Sequence, residues 1–169
     1  MPDVVMVIAQ EVFRDEEYAE PRTILQSRGA RVVTASTAPG KCIGKLGMTA
    51  EAELSISEAA ERRWDAVVLV GGGGASCFFD DADAHRLARE ALASGAVVGA
   101  ICIAPSVLAH AGLLKGIRAT AFPSQEADLT KHGAVWTGEA VTVDGRIVTA
   151  NGPDAADEFG ESLARLLGI

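Results

Sequence analysis

A single cysteine occupies the point where a strand-like run gives way to a helix-like run. Cys102 lies in the stretch AICIAP, with the small residues Ala100 and Ala104 two positions before and after it. This spacing is similar to the Gly-x-Ser-x-Gly turn, in which small neighbours let a nucleophile project from a sharp strand-to-helix bend. Free amides and the positive end of the following helix favour a thiolate, so we expect the pKa of Cys102 to be lowered. A buried cysteine that serves only as a small apolar residue is the alternative.

A run of four glycines follows another strand-like run. Residues 71–74, GGGG, come directly after DAVVLV. Glycine lets the backbone approach a substrate closely, and free amides in such a turn can bind a developing oxyanion. The run lacks the Walker lysine and the GxGxxG spacing, so a tight turn is favoured over phosphate cradling or dinucleotide binding. A flexible turn without function is the alternative.

Five acidic residues lie in the segment AQEVFRDEEYAEP, after the first strand-like run. A solvated, charged face is the default interpretation of such a segment. A carboxyl group that burial keeps protonated can instead donate a hydrogen bond to a thiolate or move a proton beside it. Glu17, four residues before Pro21, has the best position for this role, and Glu16 is the second choice.

The other histidines and cysteines show no spacing typical of a metal site or a disulfide framework. The chain has three cysteines and no CxxC pair, so we expect free thiols. Cys77, close to the glycine run, is the better candidate for redox chemistry near the site. No histidine pairs with a cysteine or with another histidine at metal-ligand spacing, and the three are His85, His110 and His132. We therefore expect no metal site.

Strand-like and helix-like segments alternate along the chain. Continuous apolar runs predict buried strands, the clearest at residues 4–9 and 65–70, and helical patterns follow at about 17–28 and 103–116. This alternation predicts a mainly parallel sheet covered on both faces, with ligands at the carboxyl ends of its strands. The acidic segment, the glycine run and Cys102 all follow predicted strands, so we expect them to converge in one crevice.

Composition and charge narrow the function classes. The 169 residues are 49% apolar and only 5% aromatic, which predicts one globular domain over residues 1–169 with an aliphatic core. A net charge of −8 without a basic stripe argues against a nucleic-acid partner. No apolar run approaches the roughly 20 residues of a membrane span, and the N-terminus lacks a signal-peptide pattern. We expect no membrane partner and a cytoplasmic location.

Together these motifs resemble the DJ-1/PfpI (ThiJ/PfpI) superfamily, which is similar to class I glutamine amidotransferases. The resemblance covers almost the whole chain, and AICIAP followed by LAHAGLLKG is its most specific part. It implies a flavodoxin-like three-layer α/β sandwich with a mainly parallel sheet and a nucleophile elbow. It also implies that Cys102 is reactive, that Glu17 hydrogen-bonds it, and that the amides of Gly72 and Ile103 bind an oxyanion. It further implies a homo-oligomer, dimeric or larger, that works without a cofactor.

Two positions depart from the family pattern. The peptidase-like branch has a histidine directly after the cysteine, where this chain has Ile103, and the branch nearest DJ-1 has one where this chain has Phe122. Our leading hypothesis is a Cys102-dependent enzyme acting on a small reactive carbonyl compound such as a 2-oxoaldehyde, a cofactor-independent glyoxalase or deglycase, with Glu17 as the acid/base. A non-enzymatic redox-sensing or chaperone-like stress protein is the alternative. A cysteine peptidase or amidase ranks last, because no histidine protonates the leaving amine.

Overall fold

The fold is built on strands that are apolar on both faces and therefore need cover on both sides. The computed structural model describes residues 1–169. Its strands are β1 (Asp3–Val7), β2 (Glu11–Phe13), β3 (Arg31–Ser36), β4 (Gly40–Gly44), β5 (Thr49–Ala52), β6 (Leu54–Ser55), β7 (Ala66–Leu69), β8 (Val97–Ile101), β9 (Arg118–Ala119), β10 (Val135–Trp136), β11 (Val141–Asp144) and β12 (Ile147–Ala150). Its α-helices are α1 (Asp15–Ser27), α2 (Ile56–Ala60), α3 (Ala82–Ala93), α4 (Pro105–His110), α5 (Glu126–Lys131) and α6 (Ala156–Leu167).

Seven of the strands form the central sheet, in the order β11-β12-β8-β7-β1-β3-β6. All neighbouring pairs are parallel except β11 and β12, which pair antiparallel at one edge. The strands β2, β4 and β5 form a separate ribbon, and β9 pairs with β10. The predicted three-layer α/β architecture with a mainly parallel sheet is therefore confirmed.

Helices cover the sheet on both faces. Successive residues of β1 point to opposite sides, so Val5 lies in a core beneath α2, α3, α4 and α5, whereas Val4 lies in a core beneath α1 and α6. Gly99 on β8 lets α6 pack directly on the sheet, since a Cβ there would lie 2.8 Å from Leu163 Cδ2. No helix combines the length and apolar character that crossing a bilayer requires.

Two helix boundaries differ from the sequence prediction. Helix α1 begins at Asp15, two residues before the predicted start. Helix α4 ends at His110, well before the predicted end at residue 116. The reason is Gly112, whose φ of 80° is a left-handed conformation that ends a helix, with its amide donating back to Ala109. The early end places His110 in the last turn of α4.

Candidate active site

Cys102 forms the sharp turn between β8 and α4. Its φ of 65° is in the left-handed region, which costs a residue with a Cβ about 1–2 kcal/mol. The Cys102 amide donates to the Ala150 carbonyl at 2.9 Å, and the Cys102 carbonyl accepts from the Phe122 amide at 2.8 Å. Pro105 opens α4, at a position where a missing N–H removes no helical hydrogen bond. The surrounding backbone thus holds the cysteine in a strained conformation.

Glu17 faces this cysteine from the first turn of α1. Its side chain is completely buried. Gly71, two residues after the end of β7, lies between the two side chains, because a Cβ added to it would be 2.5 Å from both Cys102 Cβ and Glu17 Oε1. The structure therefore brings Cys102 and Glu17 together across a glycine, as their positions after predicted strands indicated.

Burial controls the protonation of Glu17. It raises the pKa of Glu17 to about 7, although the Cys102 thiol, the Arg14 guanidinium and the Gly71 amide each favour the ionised form. Neither carboxyl oxygen makes a hydrogen bond of normal geometry to the rest of the protein. A carboxyl group in this state exchanges a proton near neutral pH, which is what a general acid/base requires.

The thiol differs from the expectation drawn from the sequence. Burial, followed by the negative charge of Glu17, raises the pKa of Cys102 to about 11. The amides of Gly72 and Ile103 act in the opposite direction by hydrogen-bonding the sulfur, but they do not outweigh these two effects. The expected lowering of the pKa is therefore wrong for the protein with Glu17 ionised, because burial and a carboxylate oppose the amides.

The glycine turn and β2 are packed backbone to backbone. Gly72 has a φ of 96°, and a Cβ there would lie 2.4 Å from the Arg14 nitrogen and 2.6 Å from the Val12 carbonyl oxygen. Val12 itself has a φ of 60°, which makes it the second strained non-glycine residue of the chain. Sequence reasoning missed Val12, because a β-branched residue gives no signal for positive φ. This packing orients the Gly72 amide toward the Cys102 sulfur.

The acidic segment divides into residues with different roles. Glu16 receives two hydrogen bonds from Arg14, at 3.0 and 2.8 Å, which lower its pKa. Asp15 is buried and accepts the amides of Leu46 and Met48 at 2.9 and 2.8 Å, so it holds the β4–β5 turn against α1. The segment is therefore only partly a solvated face, and Glu16, the second choice, pairs with Arg14 instead of facing the thiol.

Ile103 and Phe122, the two positions that depart from the family pattern, place no base beside the thiol. Ile103 contributes its amide, and its half-buried side chain packs on the cores of both faces. Phe122 is 44% exposed, and its backbone, not its side chain, bonds to the elbow. The hydrogen bonds of the histidine rings go to Asp80, Asp128 and two backbone carbonyls, none of them at the cysteine. Glu17 is the titratable side chain that the structure sets against Cys102.

Known proteins share this arrangement of elements. The sequence pattern of the DJ-1/PfpI family matches residues 3–166. An uncharacterized protein from Methanocaldococcus jannaschii is 41% identical over 160 residues, 93% of this chain and 78% of that protein. A protein named deglycase from Pyrococcus abyssi is 32% identical over 163 residues, 96% of this chain and 98% of that protein. The crystal structure of a ThiJ/PfpI domain protein from Brachyspira murdochii superposes with a TM-score of 0.94 at 34% identity, covering 98% of this chain and 96% of that one. The chain belongs to the DJ-1/PfpI family.

Proposed function

We propose that this protein is a cysteine-dependent enzyme that converts small reactive carbonyl compounds, with 2-oxoaldehydes as its substrate class. The observation that carries the proposal is the strained Cys102, held at the elbow against the buried carboxyl of Glu17. Backbone strain in a residue with a side chain persists where the surrounding structure enforces it, and such residues cluster at functional sites. Relatives named deglycase, at about 30% identity, support an enzyme of this family.

The first step joins the thiol to the aldehyde. The Cys102 sulfur attacks the aldehyde carbon while its proton passes to Glu17, and the carbonyl electron pair moves to the oxygen. The amides of Gly72 and Ile103 stabilise that oxyanion, as donors in an oxyanion hole do. Glu17 then returns the proton to the oxygen, which gives a hemithioacetal. A carboxyl group with a pKa of about 7 suits both proton transfers.

The second step moves hydrogen within the substrate. Ionised Glu17 removes the C–H proton of the hemithioacetal, and the electron pair left on that carbon forms a double bond to the neighbouring ketone carbon as the π pair of the ketone moves to its oxygen, which gives an enediolate. Glu17 returns the proton to that carbon, while the hydroxyl proton of the former aldehyde moves to the former ketone oxygen. The aldehyde carbon is thereby oxidised and the ketone carbon reduced, so no external redox cofactor is needed. Water then cleaves the thioester, which releases a 2-hydroxy acid and restores the thiol.

The test is lactate formation from methylglyoxal by the purified chain. We expect the wild type to produce lactate and Cys102→Ala to lose this activity, because no other residue takes over the covalent step. Cys77→Ser is the matched control, since Cys77 is an exposed thiol outside the Cys102–Glu17 pair. Unfolding curves of all three proteins separate loss of chemistry from loss of fold.

Two outcomes would overturn the proposal. Lactate formation that survives in Cys102→Ala would exclude the thiol as nucleophile. A wild type that forms no lactate, but oxidises at Cys102 more readily than at buried Cys42 under mild peroxide, would favour the redox-sensing alternative. Peptide or amide turnover that Cys102→Ser abolishes would favour the hydrolase alternative.

A further inference from the structure

A second cluster of chemically capable side chains lies at the end of α4 remote from the elbow. His110 ends α4, Asp128 lies on α5, and His132 caps the C-terminal end of α5. Their potential metal-binding atoms all lie within 4.8 Å of one another. The two imidazole rings stack with centroids 4.6 Å apart and planes 25° apart. Asp128 and His132 are one helical turn apart on α5, and the fold brings His110, 18 residues before Asp128, to them. The expectation of no metal site considered only histidine–histidine and histidine–cysteine spacing along the chain.

Each imidazole has one nitrogen already engaged by an oxygen acceptor. His110 Nδ1 lies 2.7 Å from Asp80 Oδ1, and His132 Nδ1 lies 2.8 Å from the backbone carbonyl oxygen of Asp128. Donation from Nδ1 in both rings leaves Nε2 as the atom with a free lone pair. Metal-binding histidines usually show this arrangement, in which an outer acceptor sets the tautomer and the ring orientation.

Both nitrogens of His110 face carboxylate oxygens, so the ring needs either a proton on each nitrogen or a metal ion at one of them. His110 Nε2 lies 2.8 and 3.0 Å from the two carboxylate oxygens of Asp128. A neutral ring that donates from Nδ1 would direct a lone pair at that carboxylate and be repelled by it. A proton or a metal ion on Nε2 removes the repulsion. Zinc bound at the usual distances would separate nitrogen and oxygen to about 3.3 Å, a small adjustment of the side chains.

The three groups are accessible to an ion from solvent. The side chains of His110, Asp128 and His132 are 19%, 28% and 30% exposed. Three protein ligands on a partly open surface leave a coordination position for water. Two imidazoles with one carboxylate suit first-row transition metals, whereas Mg²⁺ and Ca²⁺ prefer all-oxygen sites.

We propose that His110, Asp128 and His132 bind a divalent first-row transition-metal ion, with Zn²⁺ as the representative ion and Asp80 orienting His110. The ion would join the end of α4 to the end of α5. It would not contact the thiol, because α4 runs from the elbow at its start to His110 at its end. The proposal is therefore independent of the carbonyl chemistry at Cys102.

The experiment titrates the full chain with Zn²⁺ by calorimetry and with Co²⁺ by absorption spectroscopy. Thiols also bind zinc, so the titrations use the Cys77→Ser and Cys102→Ser variants alongside the wild type. We expect one ion per chain in all of them, and a Co²⁺ spectrum without thiolate charge-transfer bands. His132→Gln should lower the affinity at least about 100-fold, and Asp80→Ala about 10- to 100-fold, as loss of an outer partner does.

His85→Gln is the matched control. Its ring also bonds to a backbone carbonyl, that of Phe79 at 2.7 Å, but it lies outside the three-ligand set. Zn²⁺ should raise the melting temperature of the wild type and of His85→Gln, and leave that of His132→Gln unchanged. Equal zinc affinity in the wild type and His132→Gln would overturn the proposal. Loss of binding in the thiol variants, or equal affinity for Ca²⁺, would also overturn it.

Discussion

At the residue scale, the proposed chemistry depends on one proton shared between Cys102 and Glu17. Burial raises the pKa of both groups, and ionised Glu17 raises that of the thiol further. When the proton lies on Glu17 the repulsion is gone, the carboxyl can donate to the sulfur, and the amides of Gly72 and Ile103 stabilise the thiolate. The two groups therefore titrate as a pair, and in the proposed mechanism the reactive form has its charge on the sulfur.

Replacing Glu17 should make the Cys102 thiol more acidic and yet reduce the activity of the protein. We expect Glu17→Gln to lower the pKa of Cys102 from about 11, because the negative charge that keeps the proton on sulfur is removed. Lactate formation should nevertheless fall by about 10²- to 10⁴-fold, since the proton carrier is lost. The measurement is the alkylation rate of Cys102 against pH, resolved by mass spectrometry.

The control for this prediction is Glu16→Gln. Glu16 lies on the same helix and pairs with Arg14, so its loss should leave both the thiol pKa and the lactate rate close to wild type. An unchanged Cys102 pKa in Glu17→Gln would show that the carboxyl does not control the thiol.

The elements around the site meet at the glycine run, which works as a close-packed junction. Gly71 separates the elbow from α1, and Gly72 lies against the backbone of β2 and the start of α1. Gly74 is equally confined, since a Cβ there would lie 2.0 Å from the Glu11 carbonyl oxygen. The absence of side chains is thus what allows β7, β8, α1 and β2 to approach one another at the thiol.

Two neighbouring glycines test this role of the junction. Gly71→Ala should destabilise the protein by about 1–3 kcal/mol and abolish activity, because overpacking forces side chains or backbone to move. The added Cβ would meet Cys102 Cβ and Glu17 Oε1, both at 2.5 Å. Gly73→Ala is the control, since its nearest neighbour would be Val12 Cγ1 at an ordinary 3.7 Å. Urea unfolding measures both, and equal stability of the two variants would contradict the junction.

The arrangement of layers explains, at the scale of the whole molecule, how a carboxyl group stays buried. Gly160 on α6 lets that helix press on α1, because a Cβ there would lie 2.9 Å from Pro21 Cα. Glu17 lies one turn before Pro21 and is enclosed between α1 and the sheet. The packing of α1 and α6 on the sheet, which forms the core of this face, therefore also excludes water from Glu17. The homo-oligomer implied by the family resemblance stays a prediction.

Burying Glu17 should make the stability of the whole protein depend on pH. Its pKa is about 7 in the folded protein against an ordinary value of 4.5, so the unfolded chain releases this proton at lower pH than the folded chain. Stability should fall by up to about 3 kcal/mol as pH rises through that window. Glu17→Gln removes the ionisable group, so its free energy of unfolding should rise relative to that of the wild type between about pH 4 and pH 8.

Urea unfolding of Glu17→Gln and of the wild type, at about pH 4 and about pH 8, measures this difference in stability. The difference in the free energy of unfolding between Glu17→Gln and the wild type should grow with pH and level off above the pKa of Glu17. A difference that stays constant would show that Glu17 does not hold its proton more tightly in the folded state.

Local patterns in the sequence determined the layered α/β class and the sharp turn at Cys102, whereas the role of Glu17, chosen by its distance from Pro21, stays a prediction. Each depends on residues a few positions apart, through apolar periodicity, the demand of a tight turn for small neighbours, and chain direction at a sheet edge. Only the tertiary structure decided the direction of the thiol's pKa, because desolvation depends on what packs around the sulfur. It also decided the strain at Val12 and the approach of His110 to Asp128 and His132, since contacts between separate elements arise from packing and leave no periodic trace in the chain.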